Sequence, residues 1–336
     1  MASSRPSSLP GVLVIHPGAL GDVLLARPAL ARCRQRFPLH ELSLIATEAI
    51  GRVLLNAGEI DRLFSLERNH LGLLCAGRQF FGWEFQSWLA DCVRVIGWLG
   101  DEGGQIRRTL REVGVKEIVM QSPSSEQLQS VHQAARFLET LGAEAGTEPL
   151  PHRLHLTPFI LGLGAELLKN AGLAGQTHLV AVHIGSGSRH KCLAPAVLAS
   201  VVAALTDEGQ TPFLLSGPAD QACLEAVLQQ IRRPVPVIEG AELAAVAGLL
   251  STVQLFVGHD SGVSHLAAAV GVPTVVCFGP TDPKRWRPLG SNVRTVVGPS
   301  CVCTAWSEVQ GCVEKPCLAI SPKQILDACR QSLDGR

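Results

Sequence analysis

A chain of 336 residues with 46% hydrophobic and 17% charged side chains is too long for one average domain and too apolar for extended disorder. Its 29 basic residues are matched by 29 acidic ones, and each half is balanced by itself, which excludes the basic excess of a general nucleic-acid binder. Aromatics make up only 4% and tyrosine is absent, so the cores must be built from Leu, Val, Ile and Ala. The opening MASSRPSSLPG carries one arginine and no apolar stretch, so no secretion signal is expected there. No run reaches the roughly 18 apolar residues of a membrane helix. Eleven cysteines without such a signal point to reduced thiols and a cytoplasmic setting rather than a disulfide framework.

In chain order, residues 12–15 form an apolar, β-branched run that stops at Pro17-Gly18, the profile of a buried parallel strand. Residues 22–37 carry apolar positions at helical spacing and stop before Pro38. Further strands are predicted at 42–45, 93–96 and 117–120. Strands separated by helices of this length imply βαβ units and a parallel sheet. The proline-bracketed stretch 150–158 introduces a helix over 159–170, after which the pattern restarts with strands at 180–183, 213–215, 235–238, 255–257 and 274–278. A last helix is predicted over 322–333. The economical reading is an α/β chain of two Rossmann-like, doubly wound domains, 1–172 and 173–321. The helix in 322–336 is free to return to the first of them.

Four constellations stand out. The first is His16-Pro17-Gly18-Ala19-Leu20-Gly21-Asp22, between the first strand and the first helix; Gly18 and Gly21 permit close backbone approach. It is not a GxGxxG fingerprint, and an aspartate in this place on its own serves as a helix cap. The second is Gly185-Ser186-Gly187-Ser188-Arg189-His190-Lys191, which offers amides, hydroxyls and cations to a phosphate. A P-loop is ruled out because His190 stands where glycine must precede the lysine, and a solvated loop explains the same residues. The third, residues 255–269, joins a buried strand to a helix through Gly258-His259-Asp260-Ser261-Gly262, with His265 following. A strand end meeting a helix N-terminus is where open α/β sheets bind ligands. The fourth is Cys301-x-Cys303-x8-Cys312-x4-Cys317. Four thiolates suit zinc or an iron–sulfur cluster, but the spacing is not that of a standard zinc knuckle, and scattered reduced thiols are the simpler reading.

Together the first three constellations, with the continuation to GVPTVVCFGPTDPKRWRP, resemble glycosyltransferase family 9, the bacterial ADP-heptose:lipopolysaccharide heptosyltransferases. The resemblance implies the GT-B architecture, two Rossmann-like domains facing across a cleft with the acceptor on the first and the nucleotide sugar on the second. It implies inversion at the anomeric carbon with no required cofactor. By position, Asp22 matches the family's general base and Lys191 the cation that stabilises the departing diphosphate. Asp260, Ser261, Gly262 and His265 match the donor-binding set. Ser186, Gly187 and Ser188 lie in the donor loop, and Gly217 and Asp220 toward the nucleoside end. Such chemistry needs a base for the nucleophile and positive charge at the leaving group.

On the acceptor side Gly18, Gly21, Arg68, His70 and Arg78 are weaker candidates, since exposed cations need no ligand to explain them. The implied partners are ADP-heptose or a similar nucleotide sugar and a lipid-linked glycan acceptor. The implied setting is cytoplasmic, with transient contact at the inner membrane surface and no nucleic acid. Two other readings share the scaffold: a different nucleotide-sugar transferase or an epimerase, and a nucleotide-sugar-binding protein without catalysis.

Overall fold

The structure, a computed structural model, describes residues 10–123, 131–144 and 147–335; residues 1–9, read above for a leader, lie outside them. The chain divides into two compact units, Met1–Leu150 and Pro151–Arg336. The first holds a sheet of β1 (Gly11–Ile15), β2 (Glu41–Ala46), β3 (Arg62–Ser65), β4 (Cys92–Gly97) and β5 (Glu117–Met120), in the order β3-β2-β1-β4-β5. The second holds β6 (Leu179–His183), β7 (Thr211–Ser216), β8 (Val237–Glu239), β9 (Leu255–His259), β10 (Thr274–Phe278) and β11 (Val293–Val297), in the order β11-β10-β9-β6-β7-β8. Every pairing is parallel. Helices cover both faces of a parallel sheet, so its central strands are apolar but for the histidines that close β6 and β9, and β1, β6, β9 and β10 are fully buried.

In both sheets the strand order reverses once, between β1 and β4 and between β6 and β9. At such a switch point the loops leaving two neighbouring strands part to opposite faces, and the crevice they leave is the usual ligand site of an open α/β sheet. Among the described residues no helix is long and apolar enough to cross a membrane.

The structure departs from the sequence expectations in four places. The helix expected over 22–37 is two, Leu20–Leu25 and Arg27–Arg36, because Pro28 starts a new helix just past Ala26. Strands β3 and β11 were not anticipated. The division between the units falls at Leu150 rather than after 172, because helix Pro158–Asn170 packs on helix Leu243–Leu250. The terminal helix Pro322–Asp334 stays with the second unit, burying Ile325, Leu326 and Cys329 in its core against helix Pro195–Asp207 and β10.

The contact that draws helix Pro158–Asn170 into the second unit runs through two glycines. A Cβ on Gly248 would lie 2.1 Å from the Ile160 carbonyl oxygen, and one on Gly164 would lie 2.2 Å from the Gly248 carbonyl carbon. Both obstacles are backbone and cannot swing aside. In an isolated helix Gly→Ala gains about 1 kcal/mol. Here the sign should reverse: Gly248→Ala is expected to lower stability by about 1–3 kcal/mol through overpacking. Urea denaturation checks this, and a variant as stable as the parent would mean that the two helices are less tightly apposed.

Candidate functional site

The second sheet assembles most of the sequence-predicted donor residues at its switch point. The loop after β6 runs through Ser186–Ser188 into a short 3-10 turn, Arg189–Lys191, and the loop after β9 runs through Asp260 into helix Gly262–Val270. Lys191 Nζ lies 3.1 Å from Asp260 Oδ2, with both side chains largely buried. The same carboxylate oxygen accepts the Thr281 hydroxyl at 2.7 Å, and Ser186 donates its hydroxyl to the Asp260 carbonyl at 2.8 Å. Asp260 is therefore the hub of the cluster. Thr281, which follows β10, was not among the expected site residues.

Ser261 is the N-cap residue of helix Gly262–Val270, but its side chain does not cap the helix. Its hydroxyl instead lies 3.2 Å from Ser264 Oγ and 3.4 Å from His183 Nδ1. The helix thus begins, beside Lys191, with its first amides not capped by that side chain, and helix N-terminal amides favour an anion. His265 is buried in the first turn of the same helix, Ser188 caps the 3-10 turn by accepting the His190 amide at 3.3 Å, and Gly187 is exposed at the loop tip.

What holds this loop is a residue that sequence reasoning passed over. His259, fully buried at the end of β9, donates from Nδ1 to the Gly185 carbonyl at 3.0 Å and accepts the Leu193 amide on Nε2 at 3.0 Å. One imidazole therefore grips both ends of the 185–193 loop. Each ring nitrogen has one role only if the ring is neutral. Burial, reinforced by the nearby His183, pulls its pKa down to about 4.

Asp220, expected toward the nucleoside end of the donor set, sits under the loop after β6. It is 5% exposed and lies beneath the loop, where a Cβ on Gly185 would fall 1.8 Å from its carboxyl carbon. Its Oδ2 accepts the Gly217 amide at 2.9 Å and lies 3.4 Å from His183 Nε2. Burial alone would raise its pKa, but His183 and the Gly217 amide outweigh that and hold the carboxyl below its ordinary value. Asp220 and Gly217 brace the loop from below, and glycine at 185 makes room for the brace.

In the first unit, Asp22 sits half-buried at the equivalent switch point, in the first turn of helix Leu20–Leu25. Its Oδ2 accepts the Ala19 amide at 3.2 Å, so the capping contact is real, and Gly21 lies beside it in the same turn. A Cβ on Gly18 would lie 2.7 Å from His16 Cε1 and 3.0 Å from Asp22 Cβ, which is why this turn needs glycine. His16 is buried against Trp98 and Phe137 and accepts the Gly18 amide on Nδ1; burial pulls its pKa to about 4. Arg68 is exposed in the loop after β3, at the same C-terminal edge of the sheet, with His70 following. Arg78 is not: it donates to the Glu112 carbonyl, at the end of helix Gln105–Val113 that leads into the start of β5, on the opposite edge. That placement sets Arg78 apart from Asp22 and Arg68.

The sequence profile of glycosyltransferase family 9 (heptosyltransferase) matches residues 163–316, the stretch that contains this whole donor-side cluster. That stretch of the chain is therefore similar to glycosyltransferase family 9. Lipopolysaccharide heptosyltransferase 3 of Escherichia coli is 35% identical over 130 residues, a match spanning 38% of this chain and 38% of that protein. The fold is shared along nearly the whole chain. A family 9 glycosyl transferase from Veillonella parvula DSM 2008 superposes with a TM-score of 0.79 at 18% identity, covering 97% of each chain. The E. coli ADP-heptose lps heptosyltransferase II does so at 0.74 and 16%, covering 97% of this chain and 99% of that one. The architecture is therefore GT-B.

The family 9 stretch ends in the cysteine cluster. The sulfurs of Cys301, Cys303 and Cys312 all lie within 4.8 Å of one another, with Cys301 and Cys303 at 3.2 Å. Cys317 is buried nearby, where its interaction with Cys301, after burial itself, helps push its thiol pKa up. Three sulfurs that are up to eleven positions apart in sequence thus converge, which scattered thiols would not do.

The two buried neutral histidines contribute to the acid sensitivity of the chain. A buried imidazole whose folded pKa lies below its unfolded value of about 6.5 contributes stability above that pH, and loses it as the pH falls toward about 4. For His259 the loss should approach roughly 3 kcal/mol. His259→Gln is expected to be less stable at pH 7 and to show a shallower decline between pH 6.5 and 4. Equal acid slopes in parent and variant, measured by denaturation across that window, would show that the ring is not the titrating group.

Proposed function

We propose that the chain transfers a heptose or related sugar from an ADP-sugar to a hydroxyl of a lipopolysaccharide-core or similar glycan, inverting the anomeric carbon. The observation that carries this is the helix N-terminus at Gly262, opening at the β6/β9 switch point beside Lys191. That is a diphosphate site built from amides, a dipole and a cation. The names of the similar proteins, lipopolysaccharide heptosyltransferase 3 and ADP-heptose lps heptosyltransferase II, supply the sugar and nucleotide.

In the reaction the acceptor oxygen attacks the anomeric carbon, the bond to the diphosphate oxygen breaks, and the acceptor proton passes to Asp22. Lys191, with the amides of Ser261 and Gly262, takes up the charge that grows on the departing diphosphate. Asp260 orients Lys191 before the donor arrives, and His265 with the 186–188 loop lines the donor side. Arg68 offers an acidic acceptor a cation at the same sheet edge as Asp22. The transfer step needs no cofactor, and a membrane-linked acceptor would bring the protein to the cytoplasmic membrane face.

The cysteine cluster belongs to this reading as a structural metal site. Zinc–thiolate bonds of about 2.3 Å in a tetrahedron put sulfurs roughly 3.8 Å apart, a spacing that sulfurs within 4.8 Å of one another can adopt with little movement. An all-thiolate set suits zinc or iron.

Asp22→Asn keeps an acceptor for the Ala19 amide but lacks basicity. Turnover with an ADP-sugar and glycan acceptor should fall about a hundred- to ten-thousand-fold, while ADP binding stays near normal. Lys191→Ala should impair both. Near-normal turnover in Asp22→Asn would leave the carboxylate only its capping role. Product formed without acceptor would point instead to an epimerase.

A further inference from the structure

The segment from the end of β11 to the terminal helix does more than carry four cysteines. The Cys317 carbonyl oxygen lies where a Cβ on Gly298 would come within 2.0 Å of it, so the segment rests directly on the chain leaving β11. The next residue, Leu318, lies against Gly279 just past β10, where a Cβ would meet Leu318 Cδ2 at 2.4 Å, and it packs on the core of the second unit. Gly279 is two residues before Thr281, whose hydroxyl bonds Asp260 and through it Lys191.

The same segment also faces the other donor loop. Val313, Lys315 and Ala319 share the lining of a cavity of about 480 Å³ with Arg189, Cys192 and Leu193. Lys315, between the third and fourth cysteines, has φ of 44°, a left-handed conformation unusual for a side-chain-bearing residue. Such a conformation persists only where the surroundings fix it, and here Cys312, one of the three converging thiols, and the buried Cys317 stand on either side of it.

We propose that metal bound at Cys301, Cys303, Cys312 and Cys317 makes this segment a strap that holds the 279–281 and 189–193 segments in place, so that metal occupancy sets the affinity for ADP. The inference rests on the reading that the four cysteines hold a metal. Ligand exchange is the only chemistry involved: thiol protons leave as the cation binds, and acid or a chelator reverses it. The cation sits in the strap and touches neither donor nor acceptor.

The test uses the full chain, stripped with a chelator under reducing conditions and then reloaded with zinc or cobalt(II) alone. Loaded protein should show the visible bands of tetrahedral cobalt–thiolate coordination and resist proteolysis within residues 298–320. It should also bind ADP, by calorimetry, about tenfold or more tightly than the stripped form. Leu318→Ala, which leaves every thiol in place, should keep the cobalt bands and lose ADP affinity severalfold. Cys303→Ser should lose the bands together with the affinity. Absence of cobalt bands in the parent chain would overturn the metal reading, and the strap with it. Normal bands with ADP affinity and proteolysis unchanged between stripped and loaded protein would overturn the strap alone and leave the metal site standing.

Discussion

The second unit depends on one imidazole. His259 closes β9 and uses both ring nitrogens to hold the ends of the 185–193 loop, donating to the Gly185 carbonyl and accepting the Leu193 amide. Because it is fully buried and neutral, it can do both at once and cannot be replaced by a longer, freely rotating side chain. From that clamp the rest follows. Ser186 reaches the Asp260 carbonyl, Lys191 meets the Asp260 carboxylate, and Asp220 fills the space that glycine leaves at position 185. The loop is anchored from beneath, which under the proposed function leaves its upper surface and the adjoining helix N-terminus for an anion.

The same device occurs in both units. Each first strand ends at a buried histidine, His16 or His183, and a glycine two residues on makes room for a carboxylate, Asp22 in one unit and Asp220 in the other. In each, the residue to which the proposal gives the chemistry follows that strand at the point where strand order reverses: Asp22, in the first helical turn, in the first unit and Lys191 in the second. The repetition puts a carboxylate on one sheet edge and a cation on the other, which matches the division of labour in a displacement that needs a base and an anion trap.

Much of this was legible from residue types alone. The central strands could be read because covering both faces of a parallel sheet leaves no reason for polar residues, and the strand–turn–helix junction at Gly258–Gly262 carried both its glycines and its polar cluster in one stretch. The misses have physical causes. In β3 the Arg62 side chain pairs with Glu41 and hides the strand's pattern, and β11 is an edge strand with three exposed positions. The boundary at Leu150 rests on Gly164 meeting Gly248, a contact between residues far apart in sequence. That Asp220 braces the loop was hidden because nothing local reveals that Gly185 lies above it. His259 looked incidental for the same reason, since its partners are a carbonyl and an amide, groups that every residue carries. The cysteine spacing fitted no familiar pattern, and only folding brought Cys312 to Cys301 and Cys303.

The central claim is that a diphosphate binds at the β6/β9 switch point. Hydrogen exchange of the full chain with and without ADP tests it most directly, because the proposed ligands are largely backbone amides. Slowed exchange should concentrate in residues 185–191 and 260–264, with the strand interiors unchanged. Protection confined to other segments, with these two loops exchanging as in the free protein, would contradict it.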